Sequence, residues 1–414
     1  MNRRTRIKVF EHQYVKIGEN GFEEDHFNRL VHYNEMHGNR YFLVAYRKIK
    51  FTNYVGVMQV GNLIIEILPK ADNTTDYEKW TSALLTMLYR CKKVTLRSIT
   101  EAYVKLRSAS ILDLIFESFL YEIESLISIG LIKGYRFNES NMNRLKGKIV
   151  FSKHLSRNIV HKESFYTRHE IYDYNIVWNC ILKKALTIMM GNLNNASLKS
   201  RTAKLLWHFE DVDLVNIKRR TFDNIRYNRK TEGYRKAIKL SELIILSYTP
   251  DVQFGKNDVM GIMFDMNLLF EEYIYRILKK EESEFSQIHL EIKPQEKKPF
   301  WSHRKIKPDL LLHYEDDQAR KLIIDTKWKL LKEYTPTDED LRQIYTYNLH
   351  FDAERSILLY PMLNQINQEP VAYAQASSVN KEHFCQLVFA DLFDDEGKEK
   401  KNSGKKILNF ILRN

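Results

Sequence analysis

Residues 306–329 read IKPDLLLHYEDDQARKLIIDTKWK, and this stretch decides how the C-terminal block is built. Pro308 opens a strand, where the missing N–H does no harm to a ladder. Asp309 follows at once, ahead of Leu310, Leu311 and Leu312. After the polar turn EDDQAR a second apolar run rises through Leu322, Ile323 and Ile324 and ends in Asp325-Thr326-Lys327. Strand side chains alternate faces, so Asp325 and Lys327 point the same way, about 7 Å apart. If the two strands pair as a hairpin, Asp309 faces both.

Two carboxylates beside an ammonium have a chemical use. Mg²⁺ takes carboxylate oxygens and keeps several waters. A bound metal lowers the pKa of its water and stabilises charge on a phosphoryl oxygen, and a lysine in the same pocket can orient the attacking water or support the developing anion. The product of these parts is phosphodiester hydrolysis. The bland alternative is a surface hairpin with an ordinary Asp–Lys ion pair, because PD followed by DxK is a short pattern.

Flanking elements add candidates. A helix is expected over Asp265–Lys280, with Phe270, Ile274, Ile277 and Leu278 as its buried stripe. Glu272 lies over Arg276 at i+4, which an exposed ion pair explains. Glu271 instead shares its side with Ile274 and Leu278, either reaching for water or aimed at something positive, such as a metal. Downstream, Thr335-Pro336 reads as a helix start, with Thr as cap and Pro at the first position. Over Pro336–His350 this helix turns Leu341, Ile344 and Tyr345 to the core and Asp340, Gln343 and Tyr347 to another face. Gln343 could bond a metal-bound water or a phosphate, or be plain helix surface. Strands at Lys307–Tyr314, Lys321–Lys327, Ser356–Tyr360 and Gln386–Leu392 complete a mixed α/β block with a central sheet.

The rest of the 414-residue chain divides by composition. Of eight prolines only Pro69 precedes residue 250. Residues 1–75 are rich in Tyr, Val, Ile and Phe and read as strands, most clearly in VGVMQV-GN-LIIEIL, where Gly61-Asn62 makes a two-residue hairpin turn. Residues 76–254 turn to helical spacing, as in ILDLIFESFLYEIESLISIGLI, interrupted at Gly134 and the NESNMNRLKGK stretch and resumed over Asp173–Met190. Lys218–Lys239 packs nine Lys or Arg among Phe222, Tyr227 and Tyr234. Such a mixture suits a phosphate backbone; a solvated helix face is the alternative. Residues 255–414 form the third block, and its GKEKKNSGKK stretch reads as a flexible basic loop.

With 65 Lys and Arg against 53 acids the net charge is +12, which favours a polyanionic partner. A hydrophobic fraction of 44% excludes wholesale disorder. Three separated cysteines match no zinc spacing and no disulfide scaffold. MNRRTRIKVFEHQ has no apolar stretch of a signal peptide, and Ile111–Ile132 carries four acids that a membrane span would not tolerate. A soluble, cytoplasmic protein without a membrane partner is expected.

Glu271 on its helix, Pro308-Asp309, Asp325-Thr326-Lys327 and the Gln343 helix resemble the PD-(D/E)XK restriction-endonuclease fold. More narrowly, the chain resembles the McrC family, the nuclease subunits of McrBC-type modification-dependent (5-methylcytosine) restriction systems. VGVMQVGNLIIEILPK, RLKGKIVFSKHL, YDYNIVWNCILKKAL, FDMNLLFEEYIYRIL and DLRQIYTYN carry that likeness in order along most of the chain. The resemblance implies an α+β, α/β multidomain chain: a β-rich N-terminal region (1–75), a mainly helical region (76–254) that docks a partner together with 1–75, and a restriction-endonuclease-like domain with a mixed central sheet (255–414). It makes Asp309 and Asp325 the metal ligands, with Thr326 counted among the metal positions, Lys327 the catalytic lysine, and Glu271 and Gln343 supporting catalytic positions. The implied cofactor is Mg²⁺, with Mn²⁺ as a substitute. The implied partners are an McrB-like AAA+ GTPase hexamer, which binds the GTP, and double-stranded DNA carrying a modification. The chain's lack of a G-x-x-x-x-G-K-[ST] motif agrees with GTP belonging to the partner. A regulatory subunit that activates the GTPase without cutting, and a nuclease that works alone, are the rival functions.

Overall fold

Val60 and Leu63 face each other across Gly61-Asn62, as the apolar runs on either side require. Gly61 has φ +55°, the left-handed conformation that glycine adopts without a Cβ penalty. The computed structural model of the chain describes residues 5–71, 75–94, 110–249, 259–315, 318–329, 331, 335–361, 367–374 and 382–413. The chain forms two compact units, Met1–Ile111 with Asp251–Asn414 and Leu112–Pro250.

Among the described residues, the first unit is built on two large sheets. In one, β1 (Thr5–Phe10) pairs in parallel with β3 (Leu63–Leu68), which pairs antiparallel with β2 (Tyr54–Val60), and β2 pairs antiparallel with β4 (Val259–Asp265). Glu66 is the one acid in the apolar β3 strand and is fully buried. Arg6 of β1 answers it at 2.6 Å, which offsets the cost of hiding that charge. Helix α1 (Glu24–Met36) brings Leu30 and Tyr33 onto this sheet. A small sheet of Tyr14–Lys16, Phe42–Ala45 and Lys48–Phe51 adds Phe42 and Phe51 to the same core.

The second sheet carries the sequence read first. Its strands run β5 (Glu291–Pro294), β8 (Leu310–Glu315), β9 (Ala319–Thr326), β10 (Arg355–Pro361), β11 (Phe384–Ala390) and then Val371–Ala372. β5, β8 and β9 are antiparallel in turn, whereas β9, β10 and β11 run parallel, so the sheet is mixed. The parallel step from β9 to β10 needs a crossover, supplied by α4 (Asp338–Phe351). Ile344, Tyr347 and Phe351 of α4 pack on Leu311, Ile323 and Leu358. Helix α3 (Met266–Glu281) packs against β5 and β9, with Phe270, Ile274, Ile277 and Leu278 buried as expected. α2 (Tyr77–Arg90) and α5 (Ser403–Arg413) pack against α3 in turn. Between β5 and β8 a separate ribbon is inserted, β6 (Lys298–Trp301) with β7 (Arg304–Ile306).

The second unit combines the helices Ile111–Ile129, Val177–Asn192, Ala196–Trp207 and Arg235–Leu246 with an antiparallel sheet of Gly134–Met142, Phe165–Asp173 and Lys148–Ile149. The stretch that interrupts helical spacing at Gly134 is therefore a strand. Its residues alternate in exposure, a period-2 pattern that polar side chains hide from hydropathy.

Several expectations change. The segments 1–75, 76–254 and 255–414 mark shifts in element type, but the compact units follow other lines. β4 continues the sheet begun by residues 5–68, so the N-terminal and C-terminal blocks fold together. Residues 24–36 of the strand-like first block are helical. The cap of α4 is Thr337 rather than Thr335. The Thr337 side-chain oxygen accepts from Asp340 N at 3.3 Å and Asp340 Oδ2 accepts from Thr337 N at 3.4 Å, a reciprocal capping box. The GKEKKNSGKK stretch is not a loose loop: Ser403 starts α5, Lys405 pairs with Glu284, and Glu399 accepts from Nε and Nη2 of Arg90, each at 2.7 Å.

Candidate metal-dependent hydrolytic centre

Leu310 pairs with Ile324 in the β8/β9 ladder, so the register sets Asp309 directly across from Asp325. Opposed residues on antiparallel strands share a face at about 5 Å between Cβ atoms. That face is the one Leu311 and Ile323 turn toward α4. Asp309 Oδ2 accepts from Thr326 N at 2.7 Å and from Thr326 Oγ1 at 2.8 Å. Both donors of Thr326 are thus committed to the carboxylate, and this residue enters the site by fixing Asp309.

Asp325 is 2% exposed at the end of an apolar strand. Lys327 Nζ lies 2.6 Å from its Oδ2, yet that oxygen receives no well-aligned hydrogen bond. The same ammonium donates to Gln343 Oε1 at 3.1 Å and lies 3.4 Å from Asp340 Oδ1. Gln343 in turn donates through Nε2 to the Tyr347 hydroxyl at 2.9 Å. Asp340, also buried, pairs with Lys329. One face of α4 therefore meets the strand end through Asp340, Gln343 and Tyr347, the three residues that helical spacing had grouped.

The charges are under tension. Burial and then the Asp309 carboxylate push Asp325 well above the usual carboxylate range, with the Lys327 ammonium pulling it back. Burial likewise raises Asp309, opposed by the Thr326 hydrogen bonds and by Lys327 and Lys307. Burial works against the charge of Lys327, but Asp325, Asp340 and Asp309 outweigh it and hold the ammonium protonated. Glu271 is raised by burial and by Asp309. Its expected cation is replaced by an amide: Gln295 Nε2 donates to Glu271 Oε1 at 2.6 Å. Glu272 pairs with Arg276 at 3.2 Å as the i,i+4 spacing required, and also with Lys93 at 2.9 Å.

The residues suit a divalent cation. Two opposed carboxylates, one with a buried oxygen short of a well-aligned donor, are relieved when a dication takes up their charge. Among the described residues no group of three or more His, Cys, Asp or Glu side chains could hold an ion by itself. Two carboxylates match an ion that keeps much of its water, as Mg²⁺ does.

Three contacts at the site have no local sequence signal. Gln295 reaches Glu271 from a loop 24 residues away. Asp340 stood on the right face with no role. Glu11 accepts from Trp328 Nε1 at 2.7 Å, tying the residue after Lys327 to the N-terminal strand. The basic stretch 218–239 looks less like a nucleic-acid platform than its composition implied, because Phe222 and Tyr234 are core residues and Tyr227 lies under Arg235 at 4.0 Å.

Over residues 49–361 the chain matches the family described as McrBC 5-methylcytosine restriction system component. The chain belongs to this family. A chain of the Thermococcus gammatolerans assembly of McrB AAA+ hexamers with bound McrC superposes with a TM-score of 0.69 at 19% identity, covering 98% of this chain and 100% of that one. A chain of a second structure, the T. gammatolerans McrBC complex, gives a TM-score of 0.50 at 18% identity over 67% of this chain and 88% of that one. At such identities these likenesses concern the fold, a mixed α+β architecture. No curated protein matches the sequence. Among the described residues no helix is long and apolar enough to cross a membrane.

Proposed function

We propose that the chain is the nuclease subunit of an McrBC-type complex, a Mg²⁺-dependent endonuclease that hydrolyses DNA phosphodiesters at a PD-(D/E)XK centre. The observation that carries this reading is the Asp309–Asp325 cross-strand pair with the Lys327 ammonium 2.6 Å from Asp325, at the end of buried strands of a mixed sheet. Asp309 and Asp325 would hold Mg²⁺ or Mn²⁺, and Thr326 fixes the first of them. Bound metal supplies an acidified water and a Lewis acid for the phosphoryl oxygen. Lys327, kept charged and aimed by Asp325, Asp340 and Gln343, supports the anion that develops as water attacks. Gln343 sets the ammonium, Tyr347 sets Gln343, and Glu271 adds negative potential beside Asp309.

The partner in this reading is an McrB-like AAA+ GTPase hexamer, because the superposable chain comes from an assembly of McrB hexamers with bound McrC. GTP belongs to that partner, and the chain would stimulate its hydrolysis. The second unit supports a docking role. Tyr135, Phe137 and Tyr172 are exposed on its antiparallel sheet, and Phe151, Leu155, Ile159 and Val160 on and just after the helix Phe151–Asn158. Such a concentration of exposed apolar side chains marks an interaction surface.

The test is reconstitution with the GTPase and methylated DNA, changing Asp309, Asp325 or Lys327 singly to Ala. Cleavage should fall by about a thousandfold or more while GTPase stimulation persists. Undiminished cleavage by any of the three variants would refute the assignment.

A further inference from the structure

The ribbon β6/β7 is not part of the sheet that holds the acids, and no core requirement accounts for its composition. From Lys297 to Lys307 it reads KKPFWSHRKIK, five Lys or Arg and no acid. Lys298 pairs with Ile306, Pro299 with Lys305 and Trp301 with Arg304, with a bulge at Phe300. The ribbon leaves the sheet between β5 and β8 at their last pair, Pro294 with Leu310, where Gln295 N donates to Asp309 O at 2.9 Å. It therefore springs from the end of the sheet that bears Asp309. From Gln295 to Ser302 the chain can extend roughly 20 Å beyond that carboxylate.

The base of the ribbon is anchored. Lys298 Nζ donates to His350 O at 2.9 Å and lies 4.8 Å from the Phe351 ring centre. Phe300 meets the His350 ring edge-on at 5.2 Å, and Ile306 joins the core under α4. The tip faces solvent: Trp301 is 67% exposed, and Ser302, His303, Arg304 and Lys305 are exposed with it. Ser302 takes φ +52°, a left-handed conformation that costs energy in a non-glycine residue and recurs where loops have work to do. A solvent-facing tryptophan amid cations, held out on an anchored stem, fits a polyanion with flat faces. The major groove of a duplex, about 12 Å wide, admits a two-stranded ribbon of this kind.

We propose that β6/β7 is a DNA-gripping ribbon: Lys297, Arg304 and Lys305 take the phosphate backbone beside the scissile bond, and Trp301 enters the groove and packs its ring against base edges and deoxyribose. This deepens the nuclease reading and rests on it. The duplex bound over Asp309 and Asp325 would be held on the side where the ribbon emerges, with Lys307 leading back toward the carboxylates.

The test is equilibrium binding of a fluorescent duplex to the full chain in EDTA, across a salt series. Changing Lys297, Arg304 and Lys305 together to Gln should weaken binding about 10- to 100-fold and lower the salt slope by about 2 to 3. Trp301→Ala should weaken it about tenfold with little change in slope. The charge-preserving triple change of Lys297→Arg, Arg304→Lys and Lys305→Arg should restore the wild-type slope, and matching melting curves show that the variants fold. A glutamine triple variant that binds with wild-type affinity and slope overturns the proposal, as does a wild-type chain that binds no duplex at low salt. Failure of the nuclease reading looks different: ribbon-dependent binding would remain, with no cutting when Mg²⁺ and the GTPase are supplied.

Discussion

Glu11, one residue past β1, gives a prediction whose size can be worked out. Its side chain is almost fully buried. Oε1 accepts from Trp328 Nε1 at 2.7 Å and from Lys70 N at 2.9 Å, while the buried Oε2 makes no hydrogen bond. Burial pushes its pKa from 4.5 to about 7, against the pull of both donors. The folded state thus holds this proton more tightly than the unfolded state. Below pH 4.5 both states are protonated and the group contributes no change. Between 4.5 and about 7 the unfolded chain ionises first, so stability falls as pH rises. Above about 7 both states are ionised and the loss is complete. At 1.36 kcal/mol per pH unit the full effect is about 3 kcal/mol, of which about 2 to 3 kcal/mol develops between pH 5 and 8. Glu11→Gln keeps an acceptor for Trp328 and Lys70 but cannot ionise. Urea unfolding of both proteins from pH 5 to 8 should show wild type losing that amount relative to the variant. A stability difference that stays flat with pH, or moves in wild type's favour, would mean that Glu11 is already ionised at pH 5 and that the argument from burial is wrong.

Other consequences can be checked separately. A Cβ at Gly404 would lie 2.4 Å from Ile277 O, where α5 crosses α3, so Gly404→Ala should cost about 1 to 3 kcal/mol in chemical denaturation. Thr326→Val removes the hydroxyl donor to Asp309 but leaves the amide; stability should drop by about 1 to 2 kcal/mol, and steady-state cleavage should fall while partner binding is unchanged. Changing Phe151 and Ile159 together to Asp on the second unit should weaken binding to the GTPase hexamer more than tenfold in a pull-down titration, while duplex binding through the ribbon is retained.

What could be read from the sequence was what local periodicity encodes. The Gly61-Asn62 turn, the α3 stripe and the alternation that puts Asp325 beside Lys327 each depend on neighbours within a few residues. The pairing of Asp309 with Asp325 was legible because a short polar turn between two apolar runs leaves a hairpin as the simplest connection. Long-range pairing was not legible. Nothing near residue 259 says that β4 will complete a sheet begun at residue 5, because the matching partner, β2, lies some two hundred residues earlier. Glu66 in an apolar strand made sense only once Arg6 lay beside it. The cap of α4 moved from Thr335 to Thr337 because the reciprocal bonds with Asp340 outweigh the general preference for Pro in the first turn. The strand at Gly134–Met142 was hidden because its exposed side carries Tyr135 and Phe137 while its half-buried side carries Arg136, Asn138 and Ser140, so hydropathy does not follow exposure. The β6/β7 ribbon was hidden for a related reason: its aromatic residues look like core until burial shows Trp301 to be outside.

Calorimetric titration of Mn²⁺ and Mg²⁺ into the full chain, beside variants with Asp309 or Asp325 changed to Asn, probes the proposed metal site without relying on turnover. Saturable binding by wild type, lost in both variants while their melting curves stay cooperative, is the predicted result. Isotherms that match between wild type and variants would mean that this carboxylate pair holds no metal, and the chain would then act in its complex by some means other than cutting.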